Sequence, residues 1–459
     1  MKKKLSAILA AAMILTGLTG CQGETASESP AISAAPVNME PTDEFVIYRP
    51  PYTPDWMSEA IMLFRQMYPD VKVTIEDFST TGTFEERCEQ YQDRVNNEMV
   101  AGGGPDVIFP QYLSTNAYKA MQSGFYLNLT PFFEQDKNFS EENFIPGVFD
   151  AGRYQGGQYI VPLTARYPIF IARTPVLAQL GIDQVASEDT ASFLRQTGEK
   201  AQQAQAELGY NRMMQQSRMF DFFLTFANLK LIDYENKQVC PEPEKAREFM
   251  EAYKTYYQWD YNDDGSRENG RFASDIPKLP ENFCYLLMGN SINNLQSTAQ
   301  YLYADGTYTD FFLRDMDGKV STLYMDYLAV PVTSKNQLNA YRFIQLLLSP
   351  IIQSAEPREG RVLSPVSQEA VEGQIRTFMG NTALEFYEGG EMIGSIAPVP
   401  VEDWLAYIEK LKTVESSVLP DKAIIQMVWD SMEPFFKDEK PYESCFDELK
   451  SKLTIYMDE

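Results

Sequence analysis

Histidine is absent from all 459 residues. Its absence removes imidazole acid–base catalysis, Ser/His and Cys/His nucleophile pairs, and helical zinc motifs of the HExxH kind. Positive charge is scarce as well: 39 Lys and Arg stand against 65 Asp and Glu, a formal net charge of −26. A surface of that average sign repels a phosphate backbone, so nucleic acid is excluded as the expected partner. Cysteine is sparse and dispersed. Cys88, Cys240, Cys284 and Cys445 form no CxxC pair and have no histidine co-ligands, so neither a metal site nor a cofactor is expected from them. Cys88 falls on the apolar face of a predicted helix, which favours a buried free thiol. The apolar run at the N-terminus, Leu5 to Leu18, is shorter than the roughly 20 residues that a membrane-spanning helix needs.

What is present begins with that run. Lys2, Lys3 and Lys4 precede it and small residues follow, which is the layout of a secretory signal over residues 1–20. Leu18, Thr19, Gly20 and Cys21 resemble the lipobox of bacterial lipoproteins. The resemblance implies cleavage before Cys21, a diacylglyceryl group on its sulfur, and an extracytoplasmic chain held at the cell membrane by lipid alone. Residues 21–43 are rich in Ser, Ala, Pro and Glu and read as a tether with too little apolar content to pack.

The folded part is long enough for two lobes, each with its own core. "EFVIY" reads as a strand, and "RPPYTPDW" is kept from helix by Pro50, Pro51 and Pro54. Met57, Ala60, Ile61, Phe64 and Met67 fall at helical spacing, and "VKVTIEDF" alternates as a second strand. Phe84, Cys88, Tyr91, Val95 and Met99 mark another helix. It stops at Gly102, Gly103 and Gly104, after which Val107, Ile108 and Phe109 read as a buried strand. Alternation of this kind predicts an α/β fold with a mostly parallel sheet. Phosphate-binding glycines open helices, where free N–H groups face the anion. These glycines close one, so the expectation is a C-cap and not a nucleotide site.

In order along the chain, "LFRQMYPDVKVTIEDF", "VNNEMVAGGGPDVIF", "SGFYLNLTPFFEQD" and "GRYQGGQYIVPL" resemble the N-terminal half of family 1 extracellular solute-binding proteins of bacterial ABC importers. "LLMGNSI", "LAVPVTSKNQLNAYRFIQLLLSPIIQ", "VLSP" and "SIAPVPVEDW" are similar to later segments of that family. The resemblance implies an α/β, two-lobe, periplasmic-binding-protein-like fold of type II, with hinge crossovers and a ligand cleft between the lobes. By that analogy the crossovers lie near Gln158 to Leu163, Tyr327 to Pro331 and Leu363 to Val366. Residues 44–160 with 328–364 then form lobe 1, and residues 161–327 with 365–459 form lobe 2. The implied partners are a small-molecule solute, expected to be a sugar, and ABC permease subunits. The protein is expected to act as a monomer without catalysis.

A sugar cleft needs aromatic faces for C–H-rich rings and a few fixed polar groups for hydroxyls. Such groups belong in loops at the C-terminal ends of strands. After the first strand that loop supplies Arg49, Tyr52 and Trp56, and after "PDVIF" it supplies Gln111 and Tyr112. Past the first crossover "TARYP" offers Thr164, Arg166 and Tyr167, and Arg166 matches a position where relatives often place a polar ligand contact. Trp404 matches a pocket aromatic of some relatives. Where the family often has a Trp after the segment matching "LLMGNSI", this chain has Asn293, Asn294 and Gln296, which can read hydroxyls but offer no ring.

Asp260 to Arg271 begins like a calcium loop, with Asp260, Asn262, Asp264 and Gly265 in the expected places. Its twelfth position should be a bidentate Glu and is Arg271, which favours a solvated acidic turn. Three other readings compete with sugar capture: a peptide or polyamine as the solute, a surface glycosidase using paired carboxylates, and a lipoprotein that serves as a structural or sensory partner.

Overall fold

The computed structural model describes residues 37–53, 55–174, 178, 181, 188–208, 212–214, 219–260, 282–288, 308–354, 364–379, 384–388, 390–396, 398 and 400–458. Cys21, Asn293, Asn294, Gln296 and residues 261–271 lie outside the described residues, as does Leu363 at the start of the third crossover.

The first elements come in the expected order: β1 (Glu44–Arg49), α1 (Asp55–Met67), β2 (Lys72–Asp77) and α2 (Phe84–Val100). β1 and β2 pair in parallel, Glu44 opposite Lys72 through to Arg49 opposite Asp77. α1 buries Met57, Ala60, Ile61 and Phe64, the one face its apolar spacing defines. α2 opens with a capping box, in which Thr83 Oγ1 accepts the Glu86 N–H at 3.2 Å and the Glu86 carboxylate accepts the Thr83 N–H at 2.9 Å.

α2 ends in the geometry a glycine makes cheap. Gly102 has φ +77°, its N–H donates to the Met99 carbonyl at 3.0 Å, and the Gly103 N–H donates to Glu98 at 2.9 Å. This is a Schellman closure, and it commits two of the three glycine amides to the helix's own carbonyls. Val107, Ile108 and Phe109 are buried as expected, but they form two isolated bridges and no continuous strand. Val107 pairs in parallel with Ile47, and Ile108 pairs antiparallel with Ala329. Asp106 anchors the segment: its buried carboxylate accepts the Val46 N–H at 2.7 Å, the Ser334 hydroxyl at 2.7 Å and the Asn336 amide at 3.1 Å.

Downstream come α3 (Ala117–Gln122), β3 (Ile160–Pro162), β4 (Ala165–Arg166), β5 (Pro168–Arg173), α4 (Thr190–Leu208), β6 (Arg212–Met214), α5 (Phe220–Ala227) and α6 (Pro243–Asp260). They are followed by β7 (Asn282–Met288), β8 (Tyr308–Phe312), β9 (Val320–Tyr324), β10 (Tyr327–Ala329), α7 (Gln337–Leu348), α8 (Gln368–Met379), α9 (Val401–Leu411), β11 (Val414–Val418), α10 (Lys422–Phe436) and α11 (Tyr442–Asp458). One sheet has the order β8-β5-β7-β6, with β5 antiparallel to both β7 and β8. In another, β9 pairs in parallel with β11 and antiparallel with β4.

The sheets are therefore mixed, which corrects the expectation of a mostly parallel one. β5 follows β3 and β4 with no helix between them, so no helix-linked βαβ step fixes its direction.

Two apolar clusters organise the packing. The first contains Phe45, Phe64, Tyr91, Ile108, Ile160, Leu328 and Phe343, and the second contains Phe170, Phe193, Phe223, Tyr253, Met432 and Leu449. Val366, Ile375, Trp404 and Val414 pack with the first cluster, although the sequence division assigns 365–459 to lobe 2. Cys88, Cys240 and Cys445 are free thiols, and Cys88 is half-buried where full burial was expected. Among the described residues no helix is long and apolar enough to cross a membrane.

Candidate ligand-binding site

Three chain segments named as crossovers lie side by side. β3 pairs antiparallel with β10, Pro162 opposite Tyr327. The Leu163 and Thr164 N–H groups both donate to the Asp326 carbonyl, at 2.8 and 3.1 Å, and the Ala165 N–H donates to Ser364 at 3.0 Å. Gln353, 1% exposed, clasps two of the three. Its amide donates to the Leu163 carbonyl at 3.1 Å, and its carbonyl oxygen accepts the Val366 N–H at 2.9 Å.

Thr164 uses its hydroxyl twice. It donates to the Asp326 carboxylate at 2.9 Å and accepts the Asp326 N–H at 2.9 Å. Burial pushes the Asp326 carboxyl up from its ordinary range, while the Thr164 hydrogen bond and the nearby Arg166 charge pull it down. Burial likewise lowers Arg166, and Asp326 opposes that shift. The two charges share one place in which burial outweighs their mutual attraction, so the Asp326 carboxyl stays raised and the Arg166 guanidinium stays lowered. Tyr112 joins them: burial raises its phenol first, and the Asp326 charge adds to the rise.

Asp326 was not singled out in the sequence. A readable signal was present, an isolated acid in "YMDYLAV" immediately before a crossover.

The loops after β1 and after Phe109 also converge. The Tyr112 hydroxyl donates to the Tyr52 carbonyl at 3.3 Å, and its ring meets Phe84 and Tyr91 edge-on, with centroids 6.4 and 6.3 Å away. Tyr52 is 40% exposed, whereas Trp56 is half-buried against the first core. Gln111 is the informative neighbour: both its carboxamide nitrogen and its carboxamide oxygen are buried without a hydrogen-bond partner. An unmatched buried amide costs about 1–3 kcal/mol, and a bound hydroxyl that both donates and accepts would satisfy it.

Other candidates are placed differently. Arg49 is engaged, with Asp77 at 3.2 Å and the Ser58 hydroxyl at 2.8 Å, and so holds the ends of β1 and β2 together. Tyr167 is buried, and its hydroxyl donates to the Pro365 carbonyl at 3.3 Å, which makes it a tie from the chain between β4 and β5 to the segment around Pro365. Trp404 is 2% exposed and packs edge-on to Tyr407 within the first core, centroids 6.4 Å apart. Its ring is enclosed, where an open stacking face was expected. Among the described residues no group of three or more Cys, Asp or Glu could hold a metal ion.

The mixed α/β architecture is that of the type II periplasmic-binding-protein fold. Solved structures share the fold. The sugar-binding protein MalE from Xanthomonas citri matches with a TM-score of 0.63 at 14% identity, over 90% of this chain and 96% of that one. A periplasmic oligogalacturonide binding protein from Yersinia enterocolitica gives 0.60 at 16%, over 90% and 99%. A cyclic alpha-maltosyl-1,6-maltose binding protein from Arthrobacter globiformis gives 0.55 at 12%, over 91% and 99%. Comparison with curated proteins finds no match. The family model of the bacterial extracellular solute-binding proteins matches residues 50–354, and the chain belongs to that family.

Proposed function

We propose that this solute-binding protein captures a carbohydrate, an oligosaccharide, and delivers it to the permease of an ABC importer while anchored to the cell membrane through lipidated Cys21. The observation that carries the carbohydrate reading is the Gln111 carboxamide, buried with both ends unmatched beside the Tyr52–Tyr112 loop pair. A donor and an acceptor held in one plane suit a vicinal diol. The sugar ligands named for the similar structures support the same class.

We take the lobes as residues 44–160 with 328–364 and residues 161–327 with 365–459, with Val366, Ile375, Trp404 and Val414 of the second span packed on the first core. A ligand that touches both stabilises the closed state by its differential contacts, while the Thr164–Asp326 and Gln353 ties keep the crossovers in register. The net charge of −26 and the Asp326 carboxylate favour a polyamine as the second reading.

Solution scattering tests capture by closure: a saturating oligosaccharide compacts the protein, and saturation without compaction contradicts hinge closure. For the anchor, Cys21→Ser abolishes incorporation of labelled fatty acid into the protein, and persistent labelling contradicts lipidation at that residue.

A further inference from the structure

We propose that Asn116 is a positioning residue: a latch that pins the Gln111–Tyr112 loop to the second apolar core at a place away from the crossovers. This rests on the binding role proposed for that loop. Asn116 ends the segment that begins at Pro110, and its side chain faces two ways. Its oxygen caps α3 by accepting the Lys119 N–H at 2.9 Å. Its two amide protons face the Asp421 carboxylate, the Tyr234 hydroxyl at 3.0 Å and the Tyr456 hydroxyl at 3.2 Å.

Asp421 is itself a cap, accepting the Ala423 and Ile424 N–H groups of α10 at 3.0 and 3.2 Å. A single side chain therefore joins the N-termini of two helices from distant parts of the chain. The surroundings reinforce the joint. Tyr118 stacks on Tyr234 with centroids 5.7 Å apart and planes 15° apart. Lys119 lies 4.4 Å from the Tyr456 ring centroid and donates to the Tyr456 carbonyl. Tyr456 in turn donates to Asp421 at 3.1 Å. Ala120 and Met121 belong to the first core, Tyr234 belongs to the second, and Tyr118 packs on both.

None of these residues lies in a crossover segment. A relative movement of the two cores must therefore break or remake this contact, and with it the footing of the loop that carries Gln111.

The latch is testable because Asn and Asp both cap helices well. Asn116→Asp keeps the α3 cap but turns the donor into a carboxylate facing Asp421. Adding Asp421→Asn restores a donor–acceptor pair in reverse and keeps both caps. Hydrogen exchange on the full chain in detergent reads the result without any ligand, so its outcome is independent of the carbohydrate reading. The expected result is exchange about tenfold faster over residues 110–122 in Asn116→Asp, with β1 amides unchanged, and a return to wild-type protection in the double variant. Unchanged exchange in the single variant overturns the proposal. So does a double variant that folds, as its β1 amides show, yet stays as fast as Asn116→Asp.

Discussion

Thr164 and Asp326, 162 positions apart, hold each other through one hydroxyl that both donates to the carboxylate and accepts the backbone N–H, each at 2.9 Å. The pair sits where the first and second crossovers touch. Thr164→Val is close in shape but leaves both Asp326 groups unmatched, so it is expected to cost about 1–3 kcal/mol of stability. Adding Asp326→Asn to it should cost less than the sum of the two single changes, because the residues act as a unit. Urea denaturation of the four proteins measures this, and strict additivity would mean that the two groups do not depend on each other.

Gln111 carries the opposite expectation. Since neither end of its carboxamide has a partner, Gln111→Ala should leave the melting temperature unchanged or raise it. The same change should weaken ligand binding about tenfold or more, corresponding to about 1–3 kcal/mol. Calorimetric titration beside a melting curve separates the two effects. A variant that melts earlier and binds as before would make Gln111 a structural residue.

Trp404 should behave as core. Its ring is enclosed in the first cluster, so Trp404→Ala is expected to remove about 3–5 kcal/mol of stability. A chemical-denaturation midpoint that does not move, together with lost binding, would restore the ring to the ligand site.

Asp233 gives a pH signature. The hydrogen bond from Lys230 leads the causes that bring its carboxyl from 3.8 down to about 2, helped by Asn236. A folded pKa below the unfolded one stabilises the protein above pH 3.8, and this contribution is lost as pH falls through about 2. The stability gap between wild type and Asp233→Asn should therefore be full at neutral pH and close between about pH 4 and pH 2. Denaturation curves across that range check it, and a constant gap would contradict it.

Local patterns carried the first elements well. Helical spacing located α1 and α2, and the place of the glycines after Met99 foretold the closure seen at Gly102 and Gly103. The family resemblance named three segments, near residues 158–163, 327–331 and 363–366, whose described parts lie side by side. What stayed hidden depends on partners far along the chain. Asp326 acts through Thr164, 162 positions away, and through Arg166, and the hydroxyl of Tyr167 is used by Pro365, 198 positions away. Spacing cannot say whether an indole such as Trp404 faces a cleft or a core, because both are apolar. The mixed sense of the sheets stayed hidden for a related reason: alternation identifies strands, but pairing decides their direction.

Recognition of an oligosaccharide is the property on which the proposed function turns. Thermal melting of the purified protein against oligosaccharides, peptides and polyamines at saturating concentration tests it most directly, since a ligand that binds only the folded state raises the midpoint by mass action. The account predicts a rise with at least one oligosaccharide that is abolished by Gln111→Ala, and none with peptides or polyamines. A rise produced only by a peptide or a polyamine would contradict it.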